Sequence, residues 1–386
     1  MTSPAIVGLG TTPMTTQPGG RARDLAVVAI EAALSDAGLR REEVDGLLVA
    51  SSQGIRPDRV SVELARQAGL GDLRLLEHLE IKGATTVAMV AHAALAVRAG
   101  LARRVLCVFA DAPLRPGGSA GASYDNSGGV SGVRGLERAS GVLGSVPTYA
   151  LLASRYLAAS GGTEEDLCAV AVSARAWAVG NPDAVSRTPL DCAGYHASRM
   201  VAEPLRVLDC ARPVNGAAAV VVAGHPTAGV QPPAYVLGLG QSHPRRRRHG
   251  PGESWFGGGR VAVETALRSA GIARSGLDIV ELYDPFSAVT LCLLDEYGLV
   301  PDGGPVGEFV RGGGIAPGGT LPVNTGGGQL AGFYLQGMTP LVEALTQLRG
   351  SAGARQVDGA STALVTGLGG RLDHHACLVL GREAGS

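Results

Sequence analysis

The side chains with the sharpest intrinsic reactivity in this 386-residue chain are six cysteines, eight histidines and a single lysine, Lys82. No two of Cys107, Cys168, Cys192, Cys210, Cys292 and Cys377 form a Cys-x-x-Cys, and none stands at zinc-like spacing from a histidine. In a chain of this length they are expected to be reduced and buried, with Cys107, Cys210 and Cys292 as core. Cys377 follows His374-His375-Ala376, but the two histidines are adjacent and Cys377 opens an apolar strand, so no metal is expected there. A Schiff base could form only at Lys82, and no Walker-type Gly-Lys-[Ser/Thr] occurs. Gly8-Leu9-Gly10 lacks the third glycine and the acidic partner of a dinucleotide fingerprint. His196 is expected at a surface or interface. The run Arg245–Arg248 reads as a solvated arm, with phosphate or subunit contact as alternatives.

These residues need a scaffold, and the composition supplies one. Apolar residues make up 45% and charged residues 17%, with a formal net charge of −1: a globular chain with ample core, not a disordered one. The balanced charge and 4% aromatics argue against nucleic acid as a partner. Glycine is abundant, 58 residues, but has no triplet period, which excludes collagen. No apolar run reaches about 18 residues, and Met1-Thr2-Ser3-Pro4 does not open a signal peptide. A cytoplasmic protein with no membrane association is expected.

The chain reads as a duplication. Ala32–Leu39 followed by Val44–Val49 has a counterpart in Thr265–Ile272 followed by Leu277–Leu282. Each is a helix stopped by glycine (Gly38, Gly271), a short polar loop and a strand. Short strands, Ala5–Leu9 and Tyr235–Gly238, precede the two helices. An Ala-rich helix, Val87–Gly100, and the strand Val105–Ala110 are matched by Leu341–Gly350 and Ala363–Thr366. Strands alternating with helices imply an α/β fold of two similar halves, 1–228 and 229–386, joined where Pro and Gly cluster between Gly224 and Pro233. The Gly/Ser-rich stretch Pro113–Gly144 fits neither repeat and is expected to loop over the active face.

Three segments carry a resemblance to a known family. Asn324-Thr325-Gly326-Gly327-Gly328-Gln329-Leu330, with Gly337 and a helix ending Gln347-Leu348-Arg349-Gly350, resembles the C-terminal signature of thiolases. Arg206–Cys210 followed by Asn215–Ala219 resembles the end of their N-terminal half. Glu281-Leu282-Tyr283-Asp284-Pro285-Phe286 resembles the Glu-x-His-Asp-x-Phe stretch of the sterol-carrier-protein type. The resemblance implies a layered αβαβα fold of two βαβαβαββ halves, dimeric through the N-terminal half. The departures from it concern chemistry. A thiolase carries its acyl-accepting Cys at the tip of the Ala-rich helix, where the dipole lowers the thiol pKa; here that position is Gly83. The second Cys, in a Cys-x-Gly, falls within Val365-Thr366-Gly367, and both expected histidines are replaced, by Tyr283 and Tyr334. This pattern is similar to the thiolase-like aldolases of actinobacterial steroid side-chain degradation, often labelled lipid-transfer proteins. The resemblance implies retro-aldol cleavage of a bulky β-hydroxyacyl-CoA, such as one bearing a steroid side chain, without a covalent acyl-enzyme. It implies no cofactor beyond the coenzyme A of the substrate, and a complex with a small OB-fold partner that often bears a zinc ribbon.

Retro-aldol cleavage needs a base for the β-hydroxyl, stabilisation of the thioester enolate, and an acid for the enolate carbon. A phenol has an unperturbed pKa of about 10, and burial raises it, the wrong direction for a base. Tyr283 and Tyr334 are therefore expected to share base and acid duties in one pocket, aided by each other, a backbone N–H or a water. Backbone N–H groups of Gly326, Gly327, Gly328 and of the Thr366-Gly367 loop are candidate enolate donors, with the helix N-terminus at Gly83 adding partial positive charge. Gly83 is also read as leaving volume for a bulky substrate. Asp284 is read as orienting Tyr283 or the glycine turn, or equally as capping a helix at Ser287. An acyltransferase of the thiolase type and a non-catalytic acyl-CoA-binding subunit remain the alternatives.

Overall fold

Apolar residues on both faces of the strands require cover on both sides, and the chain supplies it as layers. A computed structural model describes residues 3–52, 60–118, 123–124, 131–227, 229–244, 254–370 and 372–385; the run Arg245–Arg248 lies outside them. The strands are β1 Ala5–Thr11, β2 Gly46–Ala50, β3 Leu75–Leu79, β4 Arg104–Asp111, β5 Met200–Ala202, β6 Leu205–Arg206, β7 Gly216–Ala223, β8 Ala234–Ser242, β9 Ile279–Glu281, β10 Thr362–Gly369 and β11 His374–Gly381. Nine of them form one sheet in the order β3-β2-β4-β7-β1-β8-β11-β10-β9, while β5 and β6 pair separately. The duplication is visible in that order: β2-β4-β7-β1 is answered by β9-β10-β11-β8. The two series meet where Ala5 pairs Tyr235 and Ile6 pairs Ala234, antiparallel. Within each series the β2–β4 and β9–β10 pairs are parallel, and the remaining neighbours are antiparallel. β3 has no full counterpart; its place is taken by a single parallel bridge, Val280 to Val323.

Side-chain alternation then builds separate cores. On β4, Val105, Cys107 and Phe109 face a central core. Leu106, Val108 and Ala110 face an outer one under the helix Ala22–Ala37. The Ala-rich helix Thr85–Arg98 lies in the central core with its twin, Met338–Leu348. It touches β2, β4 and β7 of its own half and β8, β10 and β11 of the other. Both helices are buried nearly all round, as their sequences demand. The outer helix Gly259–Ala270 covers the second half. The αβαβα layering is therefore as expected.

Gly8 and Gly10 have a structural role: a Cβ on either would run into the carbonyls of Ala33 and Ala29 in the outer helix. Gly238 and Gly240 stand in the same relation to Ala266 and Ala262. The Gly-x-Gly pair of each half lets helix and strand backbones approach. Gly38 and Gly271 end these helices in the left-handed conformation, φ 64° and 70°.

Two expectations need correction. Cys168 and Cys192 are not free thiols but a disulfide joining the helices Glu164–Val179 and Cys192–Ala197; Cys107, Cys292 and Cys377 are free and buried, and Cys210 is half-buried. The stretch Pro113–Gly144 is not entirely loop, since Gly132–Ala139 is helical. Among the described residues no helix is long and apolar enough to cross a membrane.

Candidate active site

The tip of the central helix Thr85–Arg98 is the natural focus, because its N–H groups concentrate partial positive charge in a buried place. A single 3₁₀ turn, Lys82–Ala84, leads into it. The Thr85 hydroxyl locks that turn, accepting from the Ile81 N–H at 2.7 Å and donating to the Lys82 carbonyl at 2.6 Å. Lys82 itself points outward to Glu80, 2.5 Å away. β10 lies directly against the tip: a Cβ on Gly367 would come within 2.8 Å of Ala84 Cα and 2.9 Å of the Gly83 carbonyl.

Gly83 does not leave volume for substrate. A Cβ there would collide with the Tyr283 ring carbon Cζ and stand 2.5 Å from its hydroxyl. The space vacated at the helix tip is filled by the phenol that replaces the histidine. Tyr283 leaves the end of β9, where its N–H donates to Thr366 Oγ1 at 3.2 Å and the preceding Leu282 N–H to Asn324 Oδ1 at 2.6 Å. Its hydroxyl meets that of Tyr334 at 3.2 Å. The two phenols thus lie in one compartment, as expected. Thr366 and Asn324 hold the backbone of this segment.

Tyr334 follows the glycine turn. Asn324 and Gly327 close that turn through a 2.8 Å bond from the Gly327 N–H to the Asn324 carbonyl. The chain continues as a π-helical turn, Gly328–Gly332. Gly327 and Gly328 take φ of 90° and 58°, the left-handed region that suits glycine. Asp284 serves this turn: its carboxylate accepts from the Gln329 N–H at 2.8 Å, as well as from the Leu330 N–H and the Asn324 side chain. A Cβ on Gly328 would strike the same carboxylate. Asp284 does not cap the following helix; Ser287–Glu296 starts after Phe286 without a side-chain cap, and the Ser287 hydroxyl donates to Asp209 at 2.6 Å. A buried network supports the turn from behind. Thr325 donates its N–H and hydroxyl to Glu281 at 3.0 and 2.8 Å, and Arg355 grips Glu343 at 2.9–3.2 Å. From the first half, Asn181 Nδ2 donates to the Gly326 carbonyl at 2.8 Å.

Two further tyrosines complete the cluster, and neither was singled out from the sequence. Tyr124 stands edge-on to Tyr334 with ring centroids 5.4 Å apart. Tyr149 stacks on Phe286 at 4.1 Å. Tyr124 is the only tyrosine of the Gly/Ser-rich stretch Pro113–Gly144; the expected position of that stretch over the active face was the signal that could have found it.

Burial dominates the electrostatics. It pushes the Tyr334 phenol up to about 12; the hydrogen bond with Tyr283 opposes this, and the charge of Asp111 adds to it. Tyr283 is raised well above an ordinary phenol, first by burial and then by the neighbouring phenols Tyr334 and Tyr149. Asp284 is raised to about 8 by burial, against the amides that bind it. Glu281 is also raised by burial, and by the charge of Glu343. The buried cluster therefore holds phenols that stay protonated at neutral pH.

Residues 241–382 match the family described as thiolase C-terminal domain-like. The chain is 32% identical over 381 residues to the 17-hydroxy-3-oxo-4-pregnene-20-carboxyl-CoA lyase of Mycobacterium tuberculosis, covering 94% of this chain and 95% of that one. It is 31% identical over 382 residues to the steroid side-chain-cleaving aldolase of Thermomonospora curvata, covering 95% of each. Among solved structures, the Ltp2-ChsH2(DUF35) aldolase superposes with a TM-score of 0.84 at 29% identity, over 98% of this chain and 97% of that one.

Proposed function

The chain belongs to the thiolase superfamily, among its thiolase-like aldolases, and we propose that it is a lyase that splits a bulky β-hydroxyacyl-CoA into a carbonyl product and a shorter acyl-CoA. The observation that carries this reading is the 3.2 Å contact between the Tyr283 and Tyr334 hydroxyls at a helix tip whose own residue is Gly83. An acyl-enzyme needs a nucleophile at that tip; here the position has no side chain and a phenol fills the space.

The proton balance suits a phenol pair. With a pKa of about 12, on the order of one Tyr334 in 10⁵ is ionised at pH 7, so a preformed phenolate is a poor base. In a concerted relay, one phenol accepts the β-hydroxyl proton while handing its own to the other, and the second gives its own proton to Cα as the Cα–Cβ bond breaks and its electron pair passes through the developing thioester enolate. The net change is one proton moved from oxygen to carbon, and both tyrosines end neutral. The duties are shared between Tyr283 and Tyr334.

The names of the relatives point to a steroid side-chain CoA ester as the substrate class. The solved relative carries a DUF35 component in its name; for this chain the corresponding partner is a small OB-fold protein, often with a zinc ribbon, added to a homodimer. No cofactor is required beyond the CoA of the substrate.

The test is a screen of β-hydroxyacyl-CoA esters with and without the small partner, reading carbonyl release. Wild-type cleavage is expected, falling at least about 10²-fold in kcat for Tyr334→Phe. An acyl-enzyme trapped by mass spectrometry would instead establish the acyltransferase. Tight acyl-CoA binding with no turnover, partner present, would establish a binding subunit.

A further inference from the structure

Enolate formation needs a hydrogen-bond donor aimed at the thioester oxygen, and part of the glycine turn is already engaged. The Gly327 N–H is used inside the turn and the Gln329 N–H on Asp284. Tyr124 offers an alternative. It comes from the first half of the chain, in the stretch after β4, and reaches the pair Tyr283–Tyr334, both residues of the second half. Its hydroxyl oxygen is closed off from solvent and has no hydrogen-bond partner among the described residues. The Tyr283 and Tyr334 hydroxyls, by contrast, share a hydrogen bond that engages one of their two protons. A buried hydroxyl left unpaired costs stability and is retained where something else exploits it.

We infer that the Tyr124 hydroxyl donates a hydrogen bond to the thioester oxygen of the substrate, the atom on which enolate charge develops. This rests on the lyase reading above and adds a catalytic residue to it. No proton is transferred: Tyr124 stays a phenol throughout and only its donor changes partner, from none to the enolate oxygen. Burial first, then Tyr334 and the charge of Asp111, push its pKa well above 10, so it remains a donor across the working pH range. A donor fixed in place before the charge appears, in a site closed to water, needs no reorganisation during reaction. The pair from one half then moves protons while the tyrosine from the other holds the enolate.

Two probes separate this inference from the lyase reading. Calorimetry compares a nitronate-bearing CoA thioether, an anionic enolate mimic, with its neutral acyl-CoA counterpart on wild type and Tyr124→Phe, each with the partner present. Wild type is expected to favour the nitronate, and Tyr124→Phe to lose on the order of 10²-fold of nitronate affinity with neutral acyl-CoA affinity nearly unchanged. A thermal melt accompanies it. Because the hydroxyl has no partner among the described residues, Tyr124→Phe is expected to melt at the wild-type temperature or above. Equal nitronate affinity in both proteins, or a clear drop in melting temperature for the variant, overturns the role of Tyr124 and leaves the lyase reading standing. Failure of the wild type to bind either CoA compound overturns the lyase reading and this inference with it.

Discussion

Gly83 and Tyr283 form a single exchange rather than two independent substitutions. The ring occupies the volume a side chain at the helix tip would need, so Gly83 cannot gain one while Tyr283 stays in place. Gly83→Ala is expected to lower stability by about 1–3 kcal/mol through overpacking and to abolish cleavage, because the phenol must swing away from Tyr334. Adding Tyr283→Ala should restore the melting temperature but not turnover. A Gly83→Ala enzyme with wild-type stability and kcat would show that the ring is not held there. Asp284 leads to a pH effect. Its pKa is raised from an ordinary carboxyl value to about 8 in the folded chain. The native state therefore binds more protons than the unfolded one between about pH 4 and 8, and this group's contribution is full below pH 4 and lost as pH rises through 8. Asp284→Asn, which keeps an acceptor for Gln329, should lose less stability than wild type between pH 6 and 9 in parallel urea titrations. Parallel losses would mean that the carboxyl is ionised at pH 6.

The glycine turn is the element that positions Tyr334, and polar side chains hold it as well as packing. Asp284 takes its amides from the front, and Glu281, Thr325, Glu343 and Arg355 hold it from behind. Gly326 has to be glycine here, since a Cβ would stand 2.5 Å from Glu343 Oε2. The Arg355–Glu343 pair is buried on both sides. Arg355→Ala leaves the carboxylate uncompensated and is expected to cost about 3–5 kcal/mol in denaturant unfolding, with a larger proportional loss in kcat than in substrate affinity as the turn loosens. A change below 1 kcal/mol would place water, not Arg355, against Glu343. The sequence signalled this element well: the run Asn324–Leu330 was recognised and its glycines were assigned to a turn. It did not signal that some of the run's N–H groups were already committed, because hydrogen-bond partners 45 residues away, such as Asp284 for Gln329, are not visible in a local run.

The whole molecule brings both halves to one site. β1 and β8 join two like series of strands, and the two central helices meet between them. The first half supplies Gly83, Tyr124 and Tyr149, and the second supplies Tyr283, Asp284 and Tyr334. The Cys168–Cys192 disulfide acts at this level, tying the helix Glu164–Val179, whose far end packs on the glycine turn, to the short helix Cys192–Ala197. It closes a loop with a sequence separation of 24, which corresponds to about 3 kcal/mol of chain entropy. Cys192→Ser should therefore melt below wild type in oxidising buffer, and the two should converge in excess dithiothreitol. Identical melting in both buffers would show that the pair is reduced in the isolated protein.

Local pattern was enough for the repeated helix–Gly–strand units and the buried Ala-rich helix, because periodicity and glycine stops are written in consecutive residues, whereas the missing nucleophile at Gly83 was legible only against the family resemblance. The pairing of Tyr283 with Tyr334 was legible only through family resemblance, since 51 residues separate them. What filled the space above Gly83, which amides of the glycine turn were spent, that Cys168 meets Cys192, and that Tyr124 enters from the other half all depended on the packed chain. Each is a contact between segments far apart in sequence, and the free energy of such a contact is set by burial and geometry that exist only once the layers have closed.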